Sequence, residues 1–406
     1  MLINDTAFLC GYFSVKSSVQ TGLFASQENF WTRVQYEDSE LSWARTFYYP
    51  EFADFMMSDV KTYSHVYDRD IEITLRDGSA HKVTVAELRV YEFPLGIFIY
   101  SIKVQQNGVE MQNALDALYM MRGIFNPDQA ALGEYITFAL DPLKSLCVKA
   151  GYKDSYTSLI ESGNKLKIYH TLLCPEIPQD AAAFDDLLYG GGTLAVYKED
   201  DPMGFTREYY SNMMSRNRIS VFNNWKGLSL TDTFTIVASD PKDYMLRTWH
   251  NEYFGRIYLY ALYRKFFLFR INGDYRSEVK PVSAVCKELA VFERDYTFPT
   301  VSYNFLPEII FRSMSEGLDI EGENVKVAEM INRENTRREA ETGDKMNLFL
   351  GVITCLTLFS AIWDFACLMD GVFEFSTNIG TATGIRACAM LLVSIICVAA
   401  IFVRRK

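Results

Sequence analysis

The sequence predicts an α/β cytoplasmic domain that a long stalk helix joins to a C-terminal two-helix transmembrane hairpin. Two apolar runs near the C-terminus, Met346–Met369 and Ala387–Val403, contain 24 and 17 residues. A hydrocarbon core about 30 Å thick needs about 20 helical residues, so both runs can be spans, and lipid requires each to be helical. Upstream, strand patterns are followed by helical ones, which is typical of a mixed domain. A pair of buried helices in a large soluble core is the alternative to the hairpin.

The α/β domain is predicted over residues 1–302. Strand-like segments cluster in residues 71–104, where Asp77-Gly78 has the composition of a hairpin turn. Glu110–Arg122 has helical spacing. Further strands are predicted over Lys165–Leu173, Thr193–Tyr197 and Phe234–Ala238. The triple glycine Gly190-Gly191-Gly192 is interpreted as a flexible turn, because it lacks the order of a phosphate-binding loop.

Composition and charge restrict what this domain does. The chain has a net charge of −11, and residues 346–406 hold only seven charged side chains, so the acidic excess lies in residues 1–345. Direct nucleic-acid binding is not expected, since it needs a basic surface. The four histidines are isolated, the eight cysteines are scattered, and no hydrolase or P-loop motif occurs. We therefore expect no catalytic residues and no enzyme activity, and no set of metal ligands emerges.

One stretch of the domain combines aromatic and basic side chains. Residues 243–271 are rich in Trp, Tyr and Phe, and four cations lie among them: Arg256, Arg264, Lys265 and Arg270. Ring stacking and charge-assisted hydrogen bonds could together hold a nucleotide there. The alternative is a packed core helix with one solvated face. No cofactor is certain, and a nucleotide ligand or a divalent cation are the two candidates.

The stalk is predicted over residues 303–345. Apolar side chains recur every four residues from Leu306 to Leu318, and eight of the last fourteen positions are charged. A helix with so many charges needs ion-pair neighbours or partner helices to stay ordered. Identical stalks in a homo-oligomer would supply them.

The charges that flank the apolar runs predict the orientation of the membrane domain, residues 346–406. Basic residues precede the first run and form the tail Arg404-Arg405-Lys406. The positive-inside rule places both termini in the cytoplasm and a short loop outside. The outer-loop residues of interest are Asp370, Gly371 and Glu374. No signal-like segment opens the chain. We expect a two-span protein of the cell inner membrane, in contact with the lipid bilayer.

The first apolar run has one polar helical face. At 100° per residue, six residues fall within an arc of about 140°. They are Asn347, Gly351, Thr354, Thr357, Ala361 and Asp364. A carboxylate inside a span is costly unless it faces protein or water, so Asp364 marks this face as pore-lining. Tight helix packing, with the carboxylate hydrated at the interface, is the other interpretation.

This arrangement resembles the CorA-like family of divalent-cation transporters. The shared features are a large cytoplasmic domain, a long helix entering the first of two spans, a very short outer loop and a basic tail. The resemblance implies a homopentamer whose first span lines the pore. That family carries Tyr-Gly-Met-Asn after the first span, whereas this chain has Met369-Asp370-Gly371-Val372-Phe373-Glu374. The asparagine that binds hydrated cation has no counterpart, so selective magnesium transport is not expected.

Three functions are compatible with these observations. The first is an oligomeric channel or effector, gated through its cytoplasmic domain by a nucleotide second messenger. The resemblance adds a context for it, because divergent CorA-like proteins without Gly-Met-Asn include effectors of type III CRISPR antiviral defence. The alternatives are a divalent metal-ion transporter and a non-conducting membrane-anchored binding protein. The missing asparagine and the aromatic-rich domain favour the first.

Overall fold

The computed structural model describes residues 1–15, 23–24, 30–159, 165–178, 180–195, 205–239, 242, 245–246, 248–277 and 280–373. They belong to two units, Met1–Val327 and Ala328–Lys406, and the second is described as far as residue 373. The first unit contains a mixed α/β sheet domain, as the sequence predicts. The second contains most of a long helix with an apolar C-terminal part.

A nine-stranded sheet organises the described part of the first unit. Its strands are β1 (Leu2–Ser14), β2 (Thr32–Val34), β3 (Lys61–Thr74), β4 (Ala80–Phe93), β5 (Ile97–Glu110), β6 (Lys167–Cys174), β7 (Arg218–Ile219), β8 (Trp225–Ser229) and β9 (Thr233–Ser239). They are ordered β2-β3-β4-β5-β1-β6-β9-β8-β7. Only β6 and β9 pair in parallel within this described sheet. The meander predicted over residues 71–104 is confirmed as β3, β4 and β5, with the predicted segments Lys82–Val85 and Arg89–Phe93 joined in the single strand β4.

The described helices precede, connect and follow these strands along the chain. They are α1 (Asp38–Phe47), α2 (Pro50–Asp54), α3 (Met111–Met121), α4 (Gly133–Tyr135), α5 (Asp141–Lys149), α6 (Ala181–Thr193), α7 (Arg207–Asn217), α8 (Phe254–Arg276), α9 (Val282–Asp295), α10 (Phe305–Gly317) and α11 (Ile320–Phe373). Single π-helical turns occupy Phe55–Asp59, Ile136–Leu140 and Thr248–Glu252. The last of these immediately precedes α8.

Strand β1 shows how the two faces of the sheet are covered. Successive side chains of a strand point to opposite faces. Ala7 and Leu9 belong to the main apolar core, which includes side chains of α3, α5 and α6. On the opposite face, the Tyr12 ring stacks on Phe266 of α8 with centroids 4.1 Å apart. Helix α8 therefore covers the face of the sheet that lies away from the main core.

The triple glycine belongs to a helix. Gly190-Gly191-Gly192 lie in the last turns of α6, so their interpretation as a flexible turn is wrong, and no strand begins at Thr193. A Cβ on Gly191 would lie 2.7 Å from Cγ2 of Thr235, and one on Gly192 would lie 2.7 Å from Cδ2 of Leu228. Glycine is used here because it lets α6 approach β8 and β9 more closely than a side chain would allow.

The predicted stalk region is divided into two helices. Helix α10 ends at Gly317 and α11 begins at Ile320. Between them Asp319 adopts φ 53°, which is uncommon for a residue other than glycine and turns the chain. Only α11 continues toward the apolar run.

Helix α11 is 54 residues long, and its C-terminal part is long and apolar enough to span a membrane. Large apolar side chains of this part are exposed in the single chain, among them Phe349, Leu356 and Phe365. Because the helix continues through Phe373, the outer-loop residues Asp370 and Gly371 lie within it. Glu374 and the second predicted span, Ala387–Val403, lie outside the described residues.

Candidate functional site

A pocket opens on the face of the sheet that α8 covers. The space without atoms along it is about 300 Å³ with open solvent included, and the part that a water molecule can enter is about 20 Å³, which is room for about one water. Its walls come from four strands, the π-helical turn and α8, with Phe8, Cys10, Tyr91, Tyr169, His250 and Tyr258 among the lining residues. A concave and largely aromatic lining of this kind is one feature of small-molecule sites.

Strand register explains why these side chains meet. Across neighbouring strands, Lys103 of β5 is paired with Phe8 of β1 and also with Glu87 of β4. Phe8 is in turn paired with Tyr169 of β6. Residues directly opposite one another share a face of the sheet. The result is one row that begins with charged groups and ends with aromatic rings.

The polar groups of the aromatic part are fixed. Tyr169 OH donates to the backbone carbonyl of Trp249, and Tyr258 OH donates to that of Ile168 at 3.4 Å. Burial raises the pKa of the Cys10 thiol to about 12, although a hydrogen bond with Ser101 lowers it in part. Since the thiol is the weakly nucleophilic form, Cys10 stays unreactive at neutral pH. This part of the pocket is built to bind and not to react.

His250 contributes a neutral ring to the pocket. Its Nε2 atom is buried and has no hydrogen-bond partner among the residues that the structure describes. Burial, together with the charge of the nearby Lys103 ammonium, lowers the pKa of His250 to about 4. The ring lies 6.3 Å from that of Phe8. At physiological pH the imidazole that borders the pocket is therefore uncharged.

Three cations lie beside the pocket. Arg89 donates from Nε to Glu87 at 2.7 Å. Arg256, in the first turn of α8, is only 8% exposed, and its Nη1 donates to the carbonyl of Met56 at 3.5 Å. Lys103 lies 5.9 Å from the Phe8 ring. Within the described part of the chain, neither Arg256 nor Lys103 has a carboxylate oxygen within 4 Å. Two of the three cations are thus left without an ion pair.

The pKa of Tyr36 reflects the positive charge of these cations. The Arg256 guanidinium lies 4.6 Å from the centre of the Tyr36 ring. Burial alone would raise the pKa of Tyr36, but the charges of Arg256 and Arg89, together with hydrogen bonds to Thr62 and Arg256, outweigh burial and lower it. Burial lowers the pKa of Lys103, although the negative charges of Glu87 and Asp68 raise it in part. The site therefore favours negative charge.

The other predicted ligand-binding cations lie elsewhere on α8. Lys265 forms an ion pair with Glu323 at 3.1 Å, and Arg270 forms one with Glu288. Arg264 lies over the Phe311 ring of α10 at 5.9 Å. Most of α8 is buried, as expected for a core helix. Of the four residues predicted as a cluster, only Arg256 lies beside the pocket, next in the chain to the lining residue Gly255, and it is not itself a lining residue.

A second set of buried polar side chains lies on the opposite face of the sheet. His170 Nδ1 lies 3.3 Å from Asp5 Oδ1, and its Nε2 lies 2.7 Å from Thr235 Oγ1. A hydroxyl, an imidazole and a carboxylate in this order are typical of hydrolases. All three side chains are buried, and the pocket does not include them. The group therefore connects β1, β6 and β9 within the core.

The predicted pore-lining residues lie along one helix, α11. In the single chain Asn347, Ala361 and Asp364 are exposed and Gly351 is partly so. The hydroxyls of Thr354 and Thr357 donate to backbone carbonyls of their own helix, at 2.8 and 2.9 Å. No cluster of three or more His, Cys, Asp or Glu side chains suited to a metal ion occurs in the described ranges.

Together, the fold and the pocket describe a mixed α/β domain with a largely aromatic pocket, in a chain with a long helix that is apolar enough to span a membrane. The chain matches no known protein-family model, no curated protein and no solved structure. The CorA-like resemblance therefore rests on the sequence features alone.

Proposed function

We propose that this protein is an oligomeric membrane channel or effector of CorA-like architecture, gated by a nucleotide-like anion that binds in the pocket of its first unit. One observation carries the proposal: Arg256 is buried without a carboxylate partner among the described residues. Removing a cation from water costs several kcal/mol unless an anion compensates. An energetically unfavourable buried charge is typical of a functional site, and a bound anion would offset its desolvation cost.

The surroundings of Arg256 favour a nucleotide over a simple inorganic anion. Lys103 and Arg89 add charge for a phosphate, and an arginine can hold phosphate oxygens in a bidentate manner. Phe8 and Tyr169, with ring centroids 5.9 Å apart, supply apolar surface for a base. Phosphate and base would then occupy the two ends of the same cross-strand row.

Helix α8 supports the gating part of the proposal. Arg256 and Lys265 are nine residues apart on it, which is about 13 Å along a rigid helix. Lys265 is paired with Glu323 in the first turn of α11, and both side chains are mostly buried, at 14% and 8% exposed. Burial would raise the pKa of Glu323, but Lys326 and Lys265 outweigh it and lower that pKa, so the carboxylate stays charged. A displacement of α8 by the ligand would therefore act on the start of α11.

The membrane part of the proposal uses the sequence features of the C-terminal region. The proposed assembly is a homopentamer of two-span subunits in the cell inner membrane, with both termini in the cytoplasm and the polar face of α11 around the axis. A ring of Asp364 carboxylates would attract cations to such a pore. Type III CRISPR antiviral defence is the proposed cellular context, since effectors of this architecture answer to nucleotide second messengers there.

Calorimetry on the full-length protein in detergent tests ligand binding. Pyrophosphate, AMP, ATP and cyclic oligoadenylates are the probes, and Lys103→Met is the informative variant. Lys287→Met is the matched control, because Lys287 is an exposed lysine on α9. We expect at least one nucleotide to bind, Lys103→Met to weaken it and Lys287→Met to leave it unchanged. If no probe binds while liposomes pass Mg²⁺ without any nucleotide, the divalent-cation transporter replaces the ligand-gated effector.

A further inference from the structure

Arg122, at the end of α3, is a nearly buried cation without an ion pair in the described part of the chain. It caps the helix and is only 9% exposed. Its guanidinium makes no hydrogen bond to the described residues and has no carboxylate oxygen of theirs within 4 Å. Its nitrogens are not among the unpaired atoms that the described structure fully encloses, so the guanidinium reaches the surface. A ligand can therefore contact it without entering a cavity.

A second guanidinium lies near Arg122, held by the same aromatic ring. The guanidinium carbons of Arg76 and Arg122 are 4.6 and 4.8 Å from the centre of the Tyr119 ring. They are thus within about 9 Å of each other, and each is attracted to the ring by a cation–π interaction. Arg76 donates from Nε to Asp116, and its two Nη nitrogens make no hydrogen bond to the residues described. Tyr119 therefore restricts the separation of two guanidiniums that still have donors to offer.

The surroundings leave an excess of positive charge on an otherwise acidic chain. Lys165 is exposed, and its backbone is bridged to the residue that follows Arg122. Burial would raise the pKa of Asp232, but its pairing with Lys167 and two further positive charges outweigh burial and lower it. Those two charges belong to Arg122 and Lys165. Because Lys167 already neutralises Asp232, at 2.6 Å, the charges of Arg122 and Lys165 remain available to an anion.

We propose that Arg76, Arg122 and Lys165 form a surface site for a ligand with two linked phosphate groups, such as inorganic pyrophosphate or the diphosphate of a nucleotide. An arginine holds phosphate oxygens through charge-assisted hydrogen bonds, often two at a time. Two guanidiniums within about 9 Å of each other can each hold one phosphate of a linked pair. The site does not depend on the proposed function, because α3 packs in the main core, on the face of the sheet opposite the pocket.

The partners that Arg122 has in the structure do not use its donors. The C-terminal end of α3 and the face of the Tyr119 ring both attract a cation. A guanidinium, however, carries five N–H donors, and none of those of Arg122 is bonded within the described ranges. Phosphate oxygens supply several acceptors with negative charge at once. The site therefore binds phosphate through groups that folding has left unused.

Calorimetry and hydrogen–deuterium exchange on the full-length protein in detergent test the site, the first for affinity and the second for location. Pyrophosphate, orthophosphate and ADP are the probes. Arg122→Gln removes the central charge, and Arg76→Gln is a second variant at a side chain that is 53% exposed. Tyr119→Leu removes the ring between the guanidiniums. Arg294→Gln is the matched control, an arginine that is 73% exposed on α9, and Lys103→Met reports on the pocket. Melting temperatures establish that each variant is folded.

Pyrophosphate is expected to slow amide exchange in residues 116–125 of the parent, of Lys103→Met and of Arg294→Gln. Arg122→Gln should weaken pyrophosphate about tenfold or more, since it removes charge-assisted hydrogen bonds. Tyr119→Leu should lower the preference for pyrophosphate over orthophosphate, and an unchanged preference would exclude its positioning role. Equal affinities for ADP and pyrophosphate would identify the diphosphate group as the ligand, and tighter binding of ADP would identify a nucleotide.

Two results would overturn the proposal. One is the absence of pyrophosphate protection in residues 116–125 of the parent, or its loss in Lys103→Met alone, which would assign the anion to the pocket. The other is unchanged protection and affinity in both Arg122→Gln and Arg76→Gln. Neither result bears on whether a nucleotide binds beside Arg256, which the Lys103→Met calorimetry tests separately.

Discussion

Replacement of Arg256 by methionine separates a functional arginine from a structural one, because the two roles predict stability changes of opposite sign. Methionine fills a similar volume and removes only the charge and its donors. The ligand-free protein should become more stable and should at the same time lose affinity for a nucleotide. Few single substitutions combine these two effects, which are typical of residues kept for function.

The magnitude follows from the contacts of the guanidinium. Its removal loses a long hydrogen bond to the Met56 carbonyl, 3.5 Å, for which about 1 kcal/mol is generous. It also loses the interaction with the Tyr36 ring, about 0.5–2 kcal/mol. Against these losses, several kcal/mol of desolvation are no longer incurred. We expect a net gain of about 1–2 kcal/mol, and a loss of about 1.5–3 kcal/mol in the binding of a phosphate ligand.

Thermal and urea unfolding of the full-length protein in detergent, with and without ATP, measure both quantities. For a chain of this size 1 kcal/mol corresponds to a shift of roughly 1–3 °C in melting temperature. Arg294→Met is the matched control, because the Arg294 side chain is 73% exposed and paired with Asp295. An exposed pair contributes little, so its removal should change stability by less than about 0.5 kcal/mol.

The reasoning would be refuted if the Arg256→Met protein were less stable than the parent and bound nucleotides with the same affinity. Arg256 would then be an ordinary packing residue of the first turn of α8, with the Met56 carbonyl and the Tyr36 ring as sufficient partners. Loss of stability together with loss of binding would also count against the reasoning, since the predicted gain in the ligand-free protein would be absent.

Four further predictions concern coupling, conduction, assembly and pH. Lys265→Met should leave nucleotide binding intact and abolish its effect on ion flux in liposomes, because it removes the partner of Glu323 that lies on α8 and leaves only Lys326 of α11 itself. Asp364→Asn should reduce cation flux at unchanged assembly, and equal flux of variant and parent would exclude a charged ring. Native mass measurement in detergent should give a homopentamer, and a monomer or dimer alone would exclude the proposed pore. The pKa of His250 is about 4 in the folded chain, below its ordinary 6.5, so the unfolded chain binds the extra proton between these values and stability should fall as pH drops through that range. His250→Gln should flatten that part of the profile, by at most about 3 kcal/mol.

The sequence predicted those parts of the fold that local patterns determine. The meander of β3, β4 and β5 was predictable because turn residues such as Asp77-Gly78 separate strand-like runs. Strand β1 was not, since both of its faces are buried and alternation of apolar and polar residues is lost over most of its length. The triple glycine was interpreted wrongly for a related reason. Close packing of α6 against β9 is a tertiary requirement, whereas the local composition indicates only flexibility.

Of the residues in and beside the candidate site, the sequence predicted only Arg256 as a ligand-binding residue. Arg256 lies in a continuous aromatic and basic stretch, which a local pattern can show. Arg89, Lys103 and His250 come from separate segments that only strand pairing and the position of α8 bring together. The acidic partner of Lys265 could not be predicted either, since Glu323 is 58 residues away along the chain. Ion pairing over such separations decides which cations remain available for a ligand.

The distribution of ion pairs along α8 suggests how binding could be transmitted. Its first turn carries Arg256, a cation without a carboxylate partner in the described structure, and Lys265 further along is held by Glu323 at the start of α11. A ligand can shift α11 only if it binds more tightly to one arrangement of α8 than to the other. A coupling free energy of about 1–3 kcal/mol is typical of allosteric proteins. One charge-assisted hydrogen bond to Arg256, present in only one arrangement, is worth about that much. Transmission through α8 therefore requires no large rearrangement of the sheet, only a displacement of the helix sufficient to exchange the Lys265–Glu323 ion pair for solvent.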